Sequence, residues 1–200
     1  MKLSDIKRQA NSKHRFSIFI DQKYAFSLSQ AEIVKNDLKI GKEIDEGELK
    51  RLKVLSAQDK LYIMALKLTA ARLKSEWEVS TYLERKGASP TLTQDILNKL
   101  SDLRLIDDYK FAEIFVRNQS LHSPASRRKI LAKLKQKRVK QEAIEAALAD
   151  GEGSDQAALR AIIKSKQSKY PDRTKFMAYL ARQGFNYSDI LSNLDVGHED

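Results

Sequence analysis

Ser75-Glu-Trp-Glu-Val-Ser-Thr-Tyr-Leu83 is the first of three copies of one helical pattern. The second runs from Ser126 to Leu134 and the third from Asp172 to Leu180, so a residue able to cap a helix lies eight positions before a leucine in each. Each leucine is answered by an apolar pair on a following helix: Ile96 and Leu100, Ile144 and Leu148, Ile190 and Leu194. In the last two copies the pair falls at plus ten and plus fourteen, and in the first at plus thirteen and plus seventeen. The offset reads as three residues inserted near Gly87-Ala-Ser-Pro90. A repeat of this length predicts units that stack and bury a face against each other, and such an array presents a surface more readily than it encloses a reaction.

Working outward, each capped helix is preceded by a lead helix. Leu61, Met64, Ala65, Leu68 and Leu73 keep helical spacing between Ala57 and Leu73. Tyr109 to Leu121 leads the second repeat and is broken by His122-Ser-Pro124, and Gln156 to Ser165 leads the third. The N-terminal part differs. Phe16, Ile18 and Ile20 alternate, as do Tyr24, Phe26 and Leu28, with Asp21-Gln-Lys23 between them. Period-two alternation of aromatic and β-branched residues predicts a hairpin, to which Leu3 and Ile6 add a third strand. No Asp-Gly pair marks its turn, so the turn type stays open. Ser29 and Glu32 make a capping box for a short helix to about Leu38, with Gly41 at its exit. Asp45-Glu-Gly-Glu48 starts another, running to about Leu55. Gly151-Glu-Gly-Ser154 reads as a flexible linker and the tail from Asp195 as frayed.

The expected fold is therefore mainly α, with three tandem three-helix repeats in a curved array behind a small β-hairpin or three-stranded domain. The expected domains are residues 1–55, 56–106, 107–150 and 151–200.

The formal net charge of +10 favours polyanions or acidic protein surfaces. By segment, Lys and Arg exceed Asp and Glu by four in residues 1–60, two in 61–106 and four in 107–150, while 151–200 is neutral. There is no cysteine, which removes disulfides, thiolate metal sites and thiol nucleophiles. No apolar run approaches the roughly 20 residues that span a bilayer, and the N-terminus lacks the apolar core of a signal peptide, so a cytoplasmic protein is expected. His14, His122 and His198 show no metal spacing. No phosphate-binding glycine loop, nucleophile elbow or zinc-protease motif occurs, and no catalytic, cofactor or metal site is expected.

Two segments carry the motifs. Leu105-Ile-Asp-Asp108-Tyr-Lys-Phe111-Ala112-Glu-Ile-Phe115-Val116 places Asp107 or Asp108 where it can cap a helix, with Phe111 and Phe115 four apart on one face. Read as chemistry, the two carboxylates would bind metal or transfer protons. No His or third acid lies near, so a cap and core aromatics are the expectation. From Arg127 to Lys140 there is no acid: Arg127, Arg128, Lys129, Lys133, Lys135, Lys137, Arg138 and Lys140 are all basic. With Ile130, Leu131 and Leu134 turned inward, Lys129, Lys133 and Lys137 fall at i, i+4 spacing on an outer stripe. That stripe is either a solvated face or a contact for nucleic-acid phosphates or an acidic groove. Few aromatics interleave it, so base stacking is not indicated. Trp77 in a first helical turn reads as a packing residue. Tyr170, Tyr179, Phe185 and Tyr187 are core or a protein-binding patch.

The segment Leu-Ile-Asp-Asp-x-x-Phe-Ala-x-x-Phe-Val-Arg117 closely resembles the RecX regulatory proteins of bacteria. So does Ser75…Glu78…Leu83-Glu-Arg-Lys-Gly87, and Arg128-Lys-Ile130…Leu134-x-x-Lys137 is similar to their second repeat. Arg15-Phe…Ile20-Asp21…Tyr24-Ala-Phe26 resembles the β extension that some members carry. The likeness spans nearly the whole chain. Departures are Ser123-Pro-Ala-Ser126 where a glycine is usual, Arg138 where Lys-Gly is usual, and Gln22 in the hairpin turn. The resemblance implies a protein that binds the RecA recombinase and its filament on single-stranded DNA and restrains strand exchange, ATP hydrolysis and co-protease activity. It implies DNA repair and the SOS response as the setting, weak binding to single- and double-stranded DNA, and a monomer. Arg117, Arg127, Arg128, Lys129, Lys133, Lys137 and Lys140 are then the candidate partner or DNA contacts. Asp107, Asp108, Phe111, Phe115, Ser75, Glu78, Leu83 and Gly87 are motif residues with structural roles. The competing function is a helical protein that binds nucleic acid directly, without RecA. The sparse Arg, Asn and Gln at any one helix start argue against base readout. An enzyme, such as a nuclease, lacks the carboxylate cluster it would need.

Overall fold

The N-terminal alternation folds as a three-stranded antiparallel sheet in the order β1-β2-β3, with β1 at Leu3–Arg8, β2 at Arg15–Ile20 and β3 at Lys23–Ser29. Ile18 pairs with Phe26 and Phe16 with Leu28. Leu3, Ile18, Ile20, Phe26 and Leu28 are buried with Leu38, Ile44 and Leu52 in one core. The turn between β2 and β3 has two residues, Asp21 and Gln22, with φ of 47° and 65°. Positive φ at both positions makes it a type I′ hairpin turn formed without glycine. Ser4 Oγ accepts the Gln22 N–H at 2.8 Å, and Asp21 Oδ1 accepts the Lys2 N–H at 2.9 Å, which holds the turn against β1.

The computed structural model describes residues 1–10, 14–149 and 155–195. The linker expected at 151–154, the tail beyond Asp195 and His198 lie outside the described residues. The chain divides into two units. One is Met1–Arg72 with Val79–Leu105, and the other is Leu73–Glu78 with Ile106–Asp200.

After the sheet come α1 (Gln30–Lys35), α2 (Glu46–Ala71), α3 (Glu76–Arg85) and α4 (Pro90–Asp102). Ser29 caps α1, but only half of the expected box forms. Its Oγ accepts the Glu32 N–H, while its own N–H donates to Asp59 Oδ2 at 2.8 Å. The same Asp59 oxygen holds Arg15 Nη1 at 2.9 Å, and both side chains are almost fully buried. Arg15 also donates to the Ser27 carbonyl and hydroxyl at 2.6 and 2.8 Å, so the buried charge is both paired and hydrogen-bonded. α2 corrects the expectation of two helices, one ending near Leu55 and one starting at Ala57. It is continuous over 26 residues. No proline interrupts it, and Ser56, the residue that would cap a second helix, donates instead to the Ser27 carbonyl at 2.6 Å.

α4 corrects the expected insertion. Helices α3, α6 (Arg127–Gln136) and α9 (Arg173–Arg182) are each followed by four residues, before Pro90, Gln141 and Tyr187 respectively. The connections are equal, so nothing is inserted at Gly87–Pro90. The difference lies in α4, which has 13 residues against nine in α7 (Gln141–Ala149) and in α10 (Tyr187–Asp195). The plus-ten and plus-fourteen positions are held by Thr93 and Leu97, both buried beside Ile96 and Leu100. The second residue of each connection, Gly87, Arg138 and Gly184, is left-handed, with φ of 86°, 50° and 92°. In each, its N–H closes onto the carbonyl three residues back, Glu84, Lys135 or Ala181, at 2.9 Å. After α3 and α6 the next N–H, of Ala88 or Val139, also bonds back to Leu83 or Leu134, which makes those two Schellman exits.

The second unit contains α5 (Asp108–His122), α6, α7, α8 (Asp155–Lys166), a 3-10 turn at Gln167–Lys169, α9 and α10. Phe111, Ala112, Val116, Ile130, Leu134, Ala143 and Ile144 form one core. Leu159, Ile162, Phe176, Leu180, Phe185, Ile190 and Leu194 form another. The chain is thus mainly helical with a small N-terminal antiparallel sheet, as its pattern predicts.

Candidate interaction surface

The cap residues of the repeats do two jobs. Ser75 Oγ accepts the Glu78 N–H at 3.2 Å and donates to the Lys137 carbonyl at 3.3 Å. Ser126 Oγ accepts the Lys129 N–H at 3.2 Å and donates to the Gln183 carbonyl at 3.0 Å. Both serines are fully buried. The next amide in each helix is taken as well: Glu76 N–H donates to Asp108 Oδ1 at 2.9 Å, and Arg127 N–H to Asp155 Oδ1 at 2.7 Å. A helix start of one repeat is therefore closed by a carboxylate and a helix exit of the next. Gly184 is where this approach is tightest, because a Cβ there would run into Ser126 Oγ and lie 3.3 Å from Lys129 Cβ. Asp172 caps α9 by accepting the Lys175 N–H at 3.1 Å, but it is exposed, and a carboxylate has no proton to donate onward.

The two motif aspartates separate. Asp107 is the N-cap of α5, accepting the Lys110 N–H at 3.0 Å. Asp108 serves α3. Burial pushes its carboxyl above the ordinary aspartate range, opposed by the Glu76 amide and by the positive charge of Lys140. Phe111 and Phe115 stack with centroids 6.0 Å apart, Phe111 in the core and Phe115 half-buried against it. Ser75 and Glu78 form both halves of their box, the Ser75 N–H donating to Glu78 Oε2 at 3.2 Å. Burial disfavours the Glu78 carboxylate, but the Lys137 ammonium and the Ser75 amide outweigh it and hold the group below the usual glutamate range. Leu83 is fully buried, and Gly87 makes the left-handed exit.

The basic residues do not form the outward stripe that helical spacing predicts. Lys129, Lys133 and Lys137 are half-buried. Lys129 Nζ donates to Gln183 Oε1, Lys133 Nζ to Gln119 Oε1 at 2.6 Å, and Lys137 Nζ to Glu78 Oε1 at 2.8 Å. Lys137 also lies 5.7 Å from the Phe111 ring centroid. Burial, and then the nearby charge of Lys133, pulls the Lys129 ammonium below its ordinary value. Arg127 reaches the Leu148 carbonyl at 2.6 Å, and Lys140 lies 3.9 Å from Glu76. Arg117 and Arg128 are exposed. Sequence reasoning missed the acceptors Gln119 and Gln183, because an amide at those positions carries no charge pattern to betray it.

Trp77 is half-buried with the Arg138 guanidinium 5.9 Å from its ring centroid. Tyr170 stacks on Phe176 and Tyr179 at 5.2 and 5.0 Å, and Phe185 is core, which leaves Tyr187 exposed. A cleft in the first unit mixes Glu32, Asp59 and Asp95 with Lys35 and Lys99 and favours neither sign of ligand. Among the described residues no group of three His, Cys, Asp or Glu side chains is placed to hold a metal. No described helix is long and apolar enough to cross a membrane.

Residues 1–45 match the family model for the N-terminal domain of regulatory protein RecX, and residues 107–148 that for the RecX second three-helix domain. The chain is 31% identical over 197 residues to the regulatory protein RecX of Bacillus licheniformis, covering 95% of this chain and 74% of that one. It is 28% identical to the one from Listeria monocytogenes, covering all of this chain and 79% of the relative. A crystal structure of a regulatory protein RecX superposes with a TM-score of 0.72 at 24% identity, covering 97% of this chain and 98% of its own, a likeness of fold. The chain belongs to the RecX family of regulatory proteins.

Proposed function

We propose that this protein regulates a RecA recombinase by binding the protein and its filament on single-stranded DNA, restraining ATP hydrolysis, strand exchange and co-protease activity. The observation that carries this reading is the likeness to regulatory proteins RecX along 95% of the chain. The charge distribution supports a division of labour. The basic second repeat meets DNA on the filament, and the neutral third repeat meets protein. The protein acts in the cytoplasm as a binding protein without catalytic chemistry of its own.

The test is DNA-dependent ATP hydrolysis by RecA of the same organism, titrated with this protein. Inhibition at well below one copy per RecA subunit is expected, because a regulator lodged in a filament affects several subunits. Inhibition that appears only once the strand is saturated would make the protein a competitor for DNA. Firm strand binding with no effect on RecA would favour the direct nucleic-acid-binding reading.

A further inference from the structure

α6 has two basic rows with different fates. The row Lys129, Lys133 and Lys137 is spent inside the protein, where its three ammonium groups reach α9's exit, α5 and α3's first turn respectively. The opposite row is open. Arg128 and Lys135 are exposed, and neither side chain has a hydrogen-bond or ion-pair partner among the described residues. Seven residues apart, they lie within about 20° of the same helical face and roughly 10 Å apart along the axis. Between them lie the exposed Ala132 and, at the edge of the row, the half-buried Leu131, which packs against the core. The other exposed residues of α6 are Arg127 and Gln136. This face carries no acid and no aromatic group, and the half-buried Leu131 borders it.

From this we infer that the Arg128–Lys135 row, and not the lysine row, is the phosphate-contacting surface of the second repeat, and that its partner is a nucleic-acid backbone. A protein partner would call for an apolar centre with aromatic anchors, which this face lacks. A phosphodiester chain needs only positioned cations and gives up counterions to them. Lys129, Lys133 and Lys137 instead act as a clasp that holds α6 to its neighbours. The assignment rests on the reading that the second repeat meets DNA, and it replaces the residues that helical spacing alone would choose.

The experiment measures affinity of the full-length protein for a single-stranded oligonucleotide as salt is raised. Wild type, R128Q/K135Q and K129Q/K133Q are compared, with thermal midpoints recorded for each. Loss of two phosphate contacts should lower the slope of log affinity against log salt by about 1.4 on a single strand. R128Q/K135Q should show that drop with an unchanged midpoint. K129Q/K133Q should melt earlier and keep the wild-type slope while folded. An unchanged slope in folded R128Q/K135Q overturns the assignment, as does a slope lost in K129Q/K133Q at an unchanged midpoint. RecA ATP hydrolysis run beside it separates the two claims. Inhibition by wild type with an unchanged R128Q/K135Q slope leaves regulation standing and removes the row. No inhibition by wild type removes regulation, while the slopes still decide the row.

Discussion

Gly184 and Gly87 sit at the same place in two repeats, both left-handed, in different surroundings. Beyond Gly87 there is open space within 4 Å of a would-be Cβ, whereas Gly184 faces Ser126 Oγ and Lys129. Gly87→Ala should therefore cost only the left-handed backbone penalty, about 1 kcal/mol. Gly184→Ala should add crowding of about 1–3 kcal/mol and loosen the Ser126 bond to Gln183. Chemical denaturation of the two variants checks this, and equal costs would contradict the tight approach. The contrast was not legible beforehand, since the sequence marks Gly87 only as a motif residue beside an expected insertion and does not single out Gly184. The lysines were misread for a related reason. On the helical wheel Lys137 falls within about 20° of Ile130 and Lys133 about 60° from it, so this row borders the apolar stripe instead of opposing it. Once α5, the start of α3 and the exit of α9 pack around α6, that side is half covered. Charge names the residue types, and only packing names the face.

At the scale of elements, helix starts were the most legible feature, because a cap is a local bargain between one side chain and nearby amides. Ser75, Ser126, Asp107 and Asp172 all cap as their positions predict. What local pattern cannot show is the second partner, such as Lys137 for Ser75 across 62 residues. α2 and α4 were misread where a residue had a choice. Ser56 bonds to a strand instead of starting a helix, and Thr93 takes a core position that isoleucine fills in the other two repeats. The Glu78 box gives a pH prediction. Its folded-state pKa lies below the ordinary 4.5, so its stabilisation is complete above that value and is lost as pH falls through the folded one. Asp108, raised by burial, works in the opposite sense: its ionised form is disfavoured in the folded protein, and acid relieves that cost. Glu78→Gln should remove the first dependence alone. Unfolding followed between about pH 5 and pH 3 should show wild type losing more stability than Glu78→Gln. Parallel losses would mean that Lys137 and Ser75 do not select the ionised form.

For the whole molecule, the repeated cap-and-leucine pattern with period-two alternation before it was enough to predict helices behind a small sheet. The proposed function was legible only through resemblance, because a binding surface has no obligatory residue set as a catalytic site does. The net charge of +10 adds a physical expectation that a bare DNA strand is held by salt-sensitive contacts. A regulator of RecA must do more than that, since it has to tell a filament from the strand inside it. The most direct measurement is therefore binding of this protein to preassembled RecA filaments and to the same naked single strand, over a range of salt. The account predicts that filament binding persists at salt where strand binding has been lost. Filament binding that falls with the naked strand, on the same slope, would contradict it.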